Sequence, residues 1–322
     1  MLETMTDGSM TALRAHARGG AEQLVYESAP APVPGPGEAL VAVDAAAITF
    51  AELTWDQTWT TRDGRDRTPV IPSHEVSGTV AGLGPDASGF AVGEEVYGLI
   101  EFDRDGAAAQ YVSLPAAHLA VRPRSVSHTE AATLPLAALT AWQALVDYAA
   151  LEPGEQVLVQ GGAGGVGSYA VQLAAILGGA VTATGHAEDR DFVQGLGANT
   201  YLAPGAGGAA DYGAHAKQGF DVVIDTVGGA VLDASYELTR RGGRLVTLSA
   251  PPSAEKAEAL GVHATFFVVT PDAAALTRLA GLVDEGKLRS VVSQAFPLSE
   301  GRRAFESATL PHPPGKTVLI VR

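Results

Sequence analysis

Apolar and polar positions follow different patterns in the two halves of this 322-residue chain. From about residue 11 to 121, short alternating or fully apolar runs are separated by turn residues, which predicts a β-rich region. The predicted strands are 39–47, 76–83, 95–99 and 109–114, and the turns are 30–37, 84–88 and 103–106. Residues 54–67 form a polar stretch without a regular apolar period, and this stretch carries Trp55 and Trp59. Around residues 127–148 the apolar spacing becomes that of a helix.

From residue 156 onward, predicted strands and helices alternate. The strands are 156–160, 180–184, 200–202, 222–225, 244–249 and 264–269, and the helices are 166–177, 189–196, 231–238 and 273–285. Such alternation predicts parallel strands joined by crossover helices, which form a doubly wound parallel sheet in an α/β fold. Residues 205–219 are predicted to be an exposed loop or a frayed helix.

The last part of the chain returns to short strands. Strands at 291–296 and 317–321 flank a predicted helix at 299–307, and they do not continue the preceding alternation. We therefore expect this part to fold back onto the N-terminal strands. The predicted domains are a β-rich domain of residues 1–127, completed by 290–322, and a doubly wound domain of residues 128–289.

A glycine-rich turn between the strand at 156–160 and the following helix is the most specific motif. It contains the pattern G-x-G-x-x-G in the strand–turn–helix context that gives this pattern its meaning. Without side chains, the backbone can approach a pyrophosphate closely, and the helix N-terminus offers unpaired N–H groups to the anion. A tight strand-to-helix turn without a ligand is the alternative. The predicted dinucleotide-binding residues of this turn are Gly162, Ala163, Gly164, Gly165, Val166 and Gly167.

Charge and cysteine content narrow the classes of function. The formal net charge is −15, and no basic run is present, so binding to nucleic acid or to a membrane through a charged surface is not expected. The chain has no cysteine, which excludes disulfides, cysteine nucleophiles, Cys-ligated zinc and iron–sulfur clusters. No apolar run approaches the length of a membrane span, and the first residues lack the layout of a signal peptide. A cytoplasmic protein is therefore expected.

Six segments, taken in order, resemble a known family. They are 69–78 (PVIPSHEVSG), 93–98 (GEEVYG), 131–145 (AATLPLAALTAWQAL), 163–168 (AGGVGS), 221–229 (DVVIDTVGG) and 315–321 (GKTVLIV). Through them the chain resembles the zinc-free medium-chain dehydrogenase/reductases of the quinone oxidoreductase-like (zeta-crystallin-like) branch, with Ser73 in place of the usual glycine. The resemblance implies a GroES-like β-rich domain, a Rossmann domain and NAD(P)H bound between the two. It also implies a homodimer formed by strands near residues 263–269.

The end of the second strand of the doubly wound domain indicates which cofactor is bound. NAD-specific sites place Asp or Glu there, some 20 residues after the glycines, to bind the ribose 2′-hydroxyl. Here Thr184, Gly185 and His186, followed by Arg190, leave room for a 2′-phosphate and offer it positive charge. NADPH is therefore favoured over NADH, although Arg190 is also typical of a solvated surface charge. The resemblance adds seven positions at the nicotinamide or its ribose, namely Thr140, Thr226, Val227, Ser249, Phe267, Val268 and Lys316.

A catalytic metal is not expected. Zinc enzymes of the wider superfamily bind the metal through Cys, His and a further Cys or acidic residue, and only the histidine, His74, is present here. One His with the neighbouring Glu75 does not complete a tetrahedral zinc site, so we expect His74 to be a hydrogen-bonded histidine at a domain edge. Without a metal that polarises a carbonyl, reduction of a conjugated C=C bond or of a quinone is favoured over alcohol–ketone chemistry.

The catalytic candidates lie near residues 49–55, where the family often carries Asn, Asp and Tyr. This chain has Thr49, Glu52 and Trp55 as candidates instead, with Trp59 as a further residue of interest. Packing within the loop is the alternative for both tryptophans. Glu52 can act as a general acid only if burial raises its pKa, and solvent is the other source of a proton.

The expected function is a zinc-independent, NADPH-dependent oxidoreductase that transfers a hydride to a conjugated enone or enal, or to a quinone. The expected partner is a small-molecule substrate of one of these kinds. Two alternatives stay open: an NADPH-dependent ketone or aldehyde reductase of a tailoring pathway, and a non-catalytic NADPH-binding protein.

Overall fold

The computed structural model describes residues 8–203, 212 and 218–322, so most of the predicted loop at 205–219 lies outside the described residues. The strands are β1 (Ser9–Ala15), β2 (Leu24–Pro30), β3 (Glu38–Ala47), β4 (Glu75–Leu83), β5 (Glu95–Leu99), β6 (Tyr111–Pro115), β7 (Leu119–Val121), β8 (Gln156–Gln160), β9 (Ala180–Thr184), β10 (Thr200–Leu202), β11 (Phe220–Asp225), β12 (Thr239–Thr247), β13 (His263–Phe266), β14 (Val292–Pro297) and β15 (Lys316–Ile320). The helices are α1 (Asp56–Trp59), α2 (His128–Ala131), α3 (Ala137–Trp142), α4 (Gly167–Ile176), α5 (Arg190–Gly195), α6 (Gly229–Leu238), α7 (Ala254–Leu260), α8 (Ala273–Asp284) and α9 (Gly301–Glu306). Of the helices within the described ranges, none has the length and apolar character required to cross a bilayer.

Strand β3 organises the larger sheet of the first of two units. This unit comprises residues 8–136, 270–286 and 290–322. Its strand order is β14-β15-β3-β4-β5-β7, β6 also pairs with β3, and β1 and β2 form a separate two-stranded sheet. The pairing of β15 with β3 shows that the C-terminal strands complete the N-terminal β-rich part, as predicted.

The register on β3 brings together the first residues of two distant strands. Ala47, the last residue of β3, pairs with Glu75 of β4 and also with Val318 of β15. Because Lys316 lies two residues before Val318, the beginnings of β4 and β15 flank the end of β3. Gly78 shows how tightly β3 and β4 pack, since a Cβ added there would lie 2.2 Å from the Ala42 carbonyl oxygen.

The first unit includes two helices that were predicted to lie in the doubly wound domain, α2 and α8. Ser127 and Glu130 form a capping box at the start of α2, and this helix packs on β3 and β4. For α8, the Tyr97 hydroxyl donates to the Leu276 carbonyl at 2.5 Å. These contacts join residues that are distant in sequence, so apolar periodicity alone did not indicate them.

The second unit contains a parallel sheet, as predicted. It comprises residues 287–289 and the described residues within 137–269. The strand order is β10-β9-β8-β11-β12-β13, so the chain runs outward from β8 to β10 and then returns to β11 on the other side of β8. Open α/β sheets bind ligands at this kind of switch point, outside the carboxyl ends of the strands. Strand β13 lies at the edge and is shorter than the predicted strand at 264–269.

Candidate functional site

The glycine turn lies between β8 and α4, at the switch point of the parallel sheet. A Cβ added to Gly167 would lie 2.0 Å from the Gly161 carbonyl oxygen, and one added to Gly162 would lie 2.9 Å from the Ala183 Cβ. At Gly164, which is exposed, the nearest atom is the Gly161 oxygen at 3.3 Å. Gly162 and Gly167 are therefore required by packing. Gly164 is less crowded, since a Cβ there would closely approach one atom only, and its exposed backbone suits a pyrophosphate-binding turn.

Two threonines predicted to bind the cofactor, Thr184 and Thr226, hold this turn through their hydroxyl groups. The Thr184 hydroxyl donates to the Gln160 side-chain oxygen at 2.7 Å and accepts from the Gly161 N–H at 3.3 Å. The Thr226 hydroxyl donates to the Gln160 carbonyl at 2.7 Å. Both hydroxyls therefore tie together the carboxyl ends of neighbouring strands, and their role in this structure is to position the turn.

A buried carboxylate that the sequence analysis missed, Asp225, shapes the loop after β11. It accepts from the Gly228 N–H at 3.1 Å, from the Thr247 hydroxyl at 3.3 Å and from the Ser249 hydroxyl at 3.2 Å. Ser249, a predicted cofactor residue, thus supports this loop, while the neighbouring Val227 is about half exposed. An acid that directly follows the apolar run of a central parallel strand was the sequence signal for Asp225.

The cationic group predicted to select the cofactor, Arg190, is the first residue of α5, six residues after the end of β9. The Arg190 guanidinium donates to the Tyr201 carbonyl at 3.0 Å and lies 5.3 Å from the centre of the Tyr201 ring. The Tyr201 hydroxyl donates to the His186 carbonyl at 2.6 Å, beside Gly185. Tyr201, on the adjacent strand β10, therefore holds Arg190 near His186, a contact that the sequence analysis did not foresee.

The remaining predicted cofactor residues of the second unit lie on α3 and just after β13. Thr140 is buried on α3, which packs against α4. The Phe267 ring stacks on Tyr148 with centres 4.2 Å apart, and Val268 is about half exposed. Packing accounts for Phe267, whereas Val268 presents its side chain to the surface.

In the first unit, a cluster of buried polar side chains surrounds the end of β3. The Lys316 ammonium lies 2.5 Å from Glu75 Oε1 and donates to the Thr49 hydroxyl at 3.0 Å. The other oxygen of Glu75 accepts from the Leu136 N–H at 2.8 Å. The structure places the Lys316 ammonium between Thr49 and Glu75, because β4 and β15 begin beside the end of β3. The predicted contact of Lys316 with the cofactor stays a prediction.

Glu52 is fully buried beside this cluster, and both of its carboxyl oxygens accept hydrogen bonds from backbone N–H groups. Its carboxyl group accepts from the Thr49 N–H at 3.2 Å and from the Ser73 N–H at 2.8 Å. Burial raises the pKa of Glu52 to about 7, against the opposing effects of these two N–H groups and of Lys316. Ser73 has a φ of +77°, a left-handed conformation that explains why glycine is usual at this position in the related family.

His74 is buried next to Glu52, and its pKa is strongly shifted. Its Nε2 lies 3.8 Å from Glu52 Oε2, and its ring packs edge-on against Phe102 with centres 5.1 Å apart. Burial, with a smaller effect from Arg67, lowers the pKa of His74 to about 3. Neither ring nitrogen has a partner at strict hydrogen-bond geometry among the described groups, but a backbone contact with Glu101 opposes the lowering of the pKa. The expectation of a hydrogen-bonded histidine stays a prediction.

The two tryptophans differ in their surroundings. Trp59 is buried, and its Nε1–H donates to the Leu53 carbonyl at 2.8 Å, so it is a core residue. Trp55 is partly exposed and packs edge-on against Phe102 at 5.2 Å between ring centres. Because Phe102 also contacts His74, Trp55 alone of the two is linked to the polar cluster.

The residues of this cluster do not fit a zinc ion. Thr49 stands near the position of the first cysteine ligand in zinc enzymes, and the Lys316 ammonium already contacts both Thr49 and Glu75. Within the described ranges, no three side chains of the metal-binding types are grouped so that they could hold an ion. The buried positive charge of the cluster is therefore supplied by the chain itself.

Comparisons with known proteins match both units. The family model described as "Alcohol dehydrogenase GroES-like domain" matches residues 35–124, and the one described as "Zinc-binding dehydrogenase" matches residues 196–319. A curated relative, the "Probable zinc-binding oxidoreductase, mitochondrial" of Arthroderma benhamiae, is 33% identical over 317 residues, which cover 94% of this chain and 94% of the relative.

Solved structures with different chemistries share the fold. The quinone oxidoreductase from Coxiella burnetii has a TM-score of 0.86 and 29% identity, and the match covers 98% of this chain and 100% of that chain. A thermostable alcohol dehydrogenase from Pyrobaculum aerophilum, solved with cobalt and zinc bound, has a TM-score of 0.83 and 28% identity, with 97% of this chain and 100% of that chain covered. The residues of the site, and not the fold, must therefore distinguish between these chemistries.

Proposed function

Because this chain belongs to the medium-chain dehydrogenase/reductase family and is quinone oxidoreductase-like over nearly its full length, we propose that it is a zinc-independent, NADPH-dependent reductase. Its proposed acceptors are conjugated enones or enals, or quinones. Family membership supports an oxidoreductase with a nicotinamide cofactor, and the structure fits one, since the exposed backbone at Gly164 carries no side chain where a pyrophosphate must approach. The preference for NADPH and the class of acceptor rest on the residues of the two units.

The end of β9 supports the choice of NADPH. No acid stands at its tip to bind the ribose 2′-hydroxyl. Glu188 and Asp189 come a few residues later, before α5, where their charges act on Tyr201. Arg190 is held there by Tyr201, and a guanidinium binds phosphate oxygens through several directed N–H groups. His186 adds a second group able to donate to the phosphate.

The observation that carries the acceptor class is the Lys316–Glu75 pair beside Thr49. Where zinc enzymes place a metal that polarises a simple carbonyl, this chain has an ammonium and a hydroxyl. These are weaker electrophiles than Zn²⁺, and they suit an acceptor whose own conjugation spreads the incoming negative charge.

In this mechanism each unit has its own task. The cofactor, when bound, supplies the hydride, and the second unit binds and orients it through the glycine turn. In the first unit, Thr49 hydrogen-bonds the acceptor oxygen. Glu52 holds the Thr49 and Ser73 backbones through both carboxyl oxygens, so it acts as a positioning residue. Of the two proton sources that the sequence left open, solvent supplies the proton.

The test is a comparison of acceptors under saturating NADPH. We expect NADPH oxidation with an enone or a quinone, and little or none with the saturated ketone of the same carbon skeleton. Faster reduction of the saturated ketone would instead make the protein a ketone reductase. Tight NADPH binding without turnover of any acceptor in a broad panel would indicate a non-catalytic protein.

We also propose that the protein is a homodimer. Strand β13 lies at the edge of the six-stranded sheet, where an unpaired strand is suited to pair with a second copy. Sedimentation of the purified protein tests this, and a monomeric mass would contradict it. The cytoplasmic location stays a prediction.

A further inference from the structure

Lys316 and Glu75 form a buried ion pair that touches the loop carrying the catalytic candidates. Their side chains are 7% and 1% exposed, respectively. Glu75 is itself fixed by the Leu136 N–H, so the ammonium is held at one place rather than at the end of a free chain. Its second contact is the Thr49 hydroxyl, 3.0 Å away. The pair therefore presents a fixed positive charge to one hydroxyl group.

The Thr49 hydroxyl differs from the Lys316 and Glu75 side chains in accessibility and in hydrogen bonding. Thr49 is only half-buried, on the loop directly after β3. Its oxygen accepts from Lys316, and in the part of the chain that the structure describes, its own O–H donates to no other group. A proton of this hydroxyl is thus left for a ligand, next to the nearly buried charge of Lys316.

We propose that Lys316 is a positioning residue that polarises the Thr49 hydroxyl, so that Thr49 donates a strong hydrogen bond to the substrate oxygen that gains negative charge. This inference rests on the proposed function. A hydroxyl that accepts from an ammonium is a better donor, because hydrogen bonds in a chain polarise one another. A donor that is already oriented costs no reorganisation when the charge develops.

The resemblance implies that Lys316 contacts the cofactor, whereas here it acts on the Thr49 hydroxyl, and the two roles have different consequences. If Lys316 served the cofactor, its removal would weaken cofactor binding. If it acts through Thr49, its removal lowers kcat while the affinity for the cofactor changes little. A purely structural ion pair would lower stability without a specific effect on kcat.

The experiment uses full-length protein and measures kcat and KM for an enone or quinone, NADPH affinity by fluorescence titration, and thermal stability. Thr49→Val removes the hydroxyl and keeps the shape, and Thr49→Ser is the matched control that retains it. Since Lys316→Met alone removes the ammonium that faces the buried Glu75 carboxylate, it is combined with Glu75→Gln, which keeps an acceptor for the Leu136 N–H.

We expect Thr49→Val to lower kcat by about a hundredfold, the effect of losing one oriented donor, with NADPH affinity little changed and activity restored by Thr49→Ser. The Lys316→Met/Glu75→Gln variant should lower kcat to a similar extent. Adding Thr49→Val to this variant should lower kcat little further, because substitutions of residues that act as a unit have non-additive effects.

Several results would overturn the inference. An unchanged kcat in Thr49→Val, or effects of the Thr49 and Lys316 changes that multiply, would show that Lys316 does not act through Thr49. A large loss of NADPH affinity in the Lys316→Met/Glu75→Gln variant would assign Lys316 to the cofactor. Absence of turnover in the wild-type protein with every acceptor would defeat the proposed function together with this inference, whereas normal turnover in Thr49→Val defeats this inference alone.

Discussion

The raised pKa of Glu52 makes the stability of the first unit depend on pH. Burial raises this pKa from 4.5 to about 7, although the Ser73 and Thr49 N–H groups and Lys316 oppose the shift. The folded state therefore binds the proton more tightly than the unfolded state does. The stabilisation from this group is fully present below pH 4.5 and is lost as the pH rises through about 7.

The size of the effect follows from the interval between the two pKa values. One pKa unit corresponds to about 1.4 kcal/mol, so an interval from 4.5 to about 7 corresponds to a loss of about 3 kcal/mol in the free energy of unfolding. Glu52→Gln keeps an oxygen that accepts a backbone hydrogen bond but cannot titrate. The difference in the free energy of unfolding between wild type and this variant should therefore shift against the wild type by about 2–3 kcal/mol between about pH 5 and pH 8.

The assay is urea unfolding followed by tryptophan fluorescence, since Trp55 and Trp59 both lie in the first unit. His74 has the opposite linkage: its lowered pKa gives stability that is lost as the pH falls from 6.5 towards about 3. Because wild type and variant share His74, its contribution largely cancels in the difference. Glu258→Gln, on the exposed surface of α7, is the control for the change of residue type.

A difference that stays constant from acid to mildly alkaline pH would refute the reasoning. It would mean that Glu52 titrates alike in the folded and unfolded states, and therefore that its surroundings do not disfavour the charged carboxylate. A shift in favour of the wild type with rising pH would mean that the N–H groups and Lys316 outweigh burial.

The remaining predictions concern the glycine turn, the cofactor and the metal. Gly167→Ala should lower the melting temperature strongly, because its Cβ would overlap the Gly161 carbonyl oxygen, whereas Gly164→Ala should fold normally and lose affinity for NADPH; equal melting temperatures would contradict this. Arg190→Ala should weaken NADPH binding and leave NADH binding nearly unchanged, as measured by fluorescence titration, and an equal loss for both cofactors would count against a phosphate contact. Elemental analysis should find no stoichiometric zinc, and chelators should leave turnover unchanged, because Lys316 supplies the buried charge; one zinc per chain would show otherwise.

Most strands and helices could be predicted from the sequence because their signals are local. The strand β8, the glycine turn and helix α4 follow from apolar periodicity and from the requirement for glycine in a tight turn. The assignment of α8 to the first unit could not be predicted in this way, because it depends on a contact such as that between Tyr97 and Leu276, 179 positions apart.

The candidate site shows the same division between local and long-range signals. Gly164 was found from a motif, whereas the contact between Lys316 and Glu75 depends on the registers of β15 and β4 on β3. Trp55 and Trp59 are equivalent in the sequence, and only burial separates the core residue from the one beside the cluster. The role of these residues therefore depends on the surroundings of their side chains, which the residue type alone does not indicate.

The position of β15 on β3 has a consequence for the order in which the protein folds during synthesis. Thr49 and Lys316 are 267 positions apart, and the whole second unit is translated between them. Because domains fold as units while the chain emerges, the parallel sheet can form before β15 pairs with Ala45–Ala47 of β3 and before the Lys316 ammonium reaches Glu75. A folded second unit also replaces a long flexible loop, which lowers the entropic cost of bringing β15 to β3. The polar cluster at the end of β3 is thus completed only after the second unit has been translated.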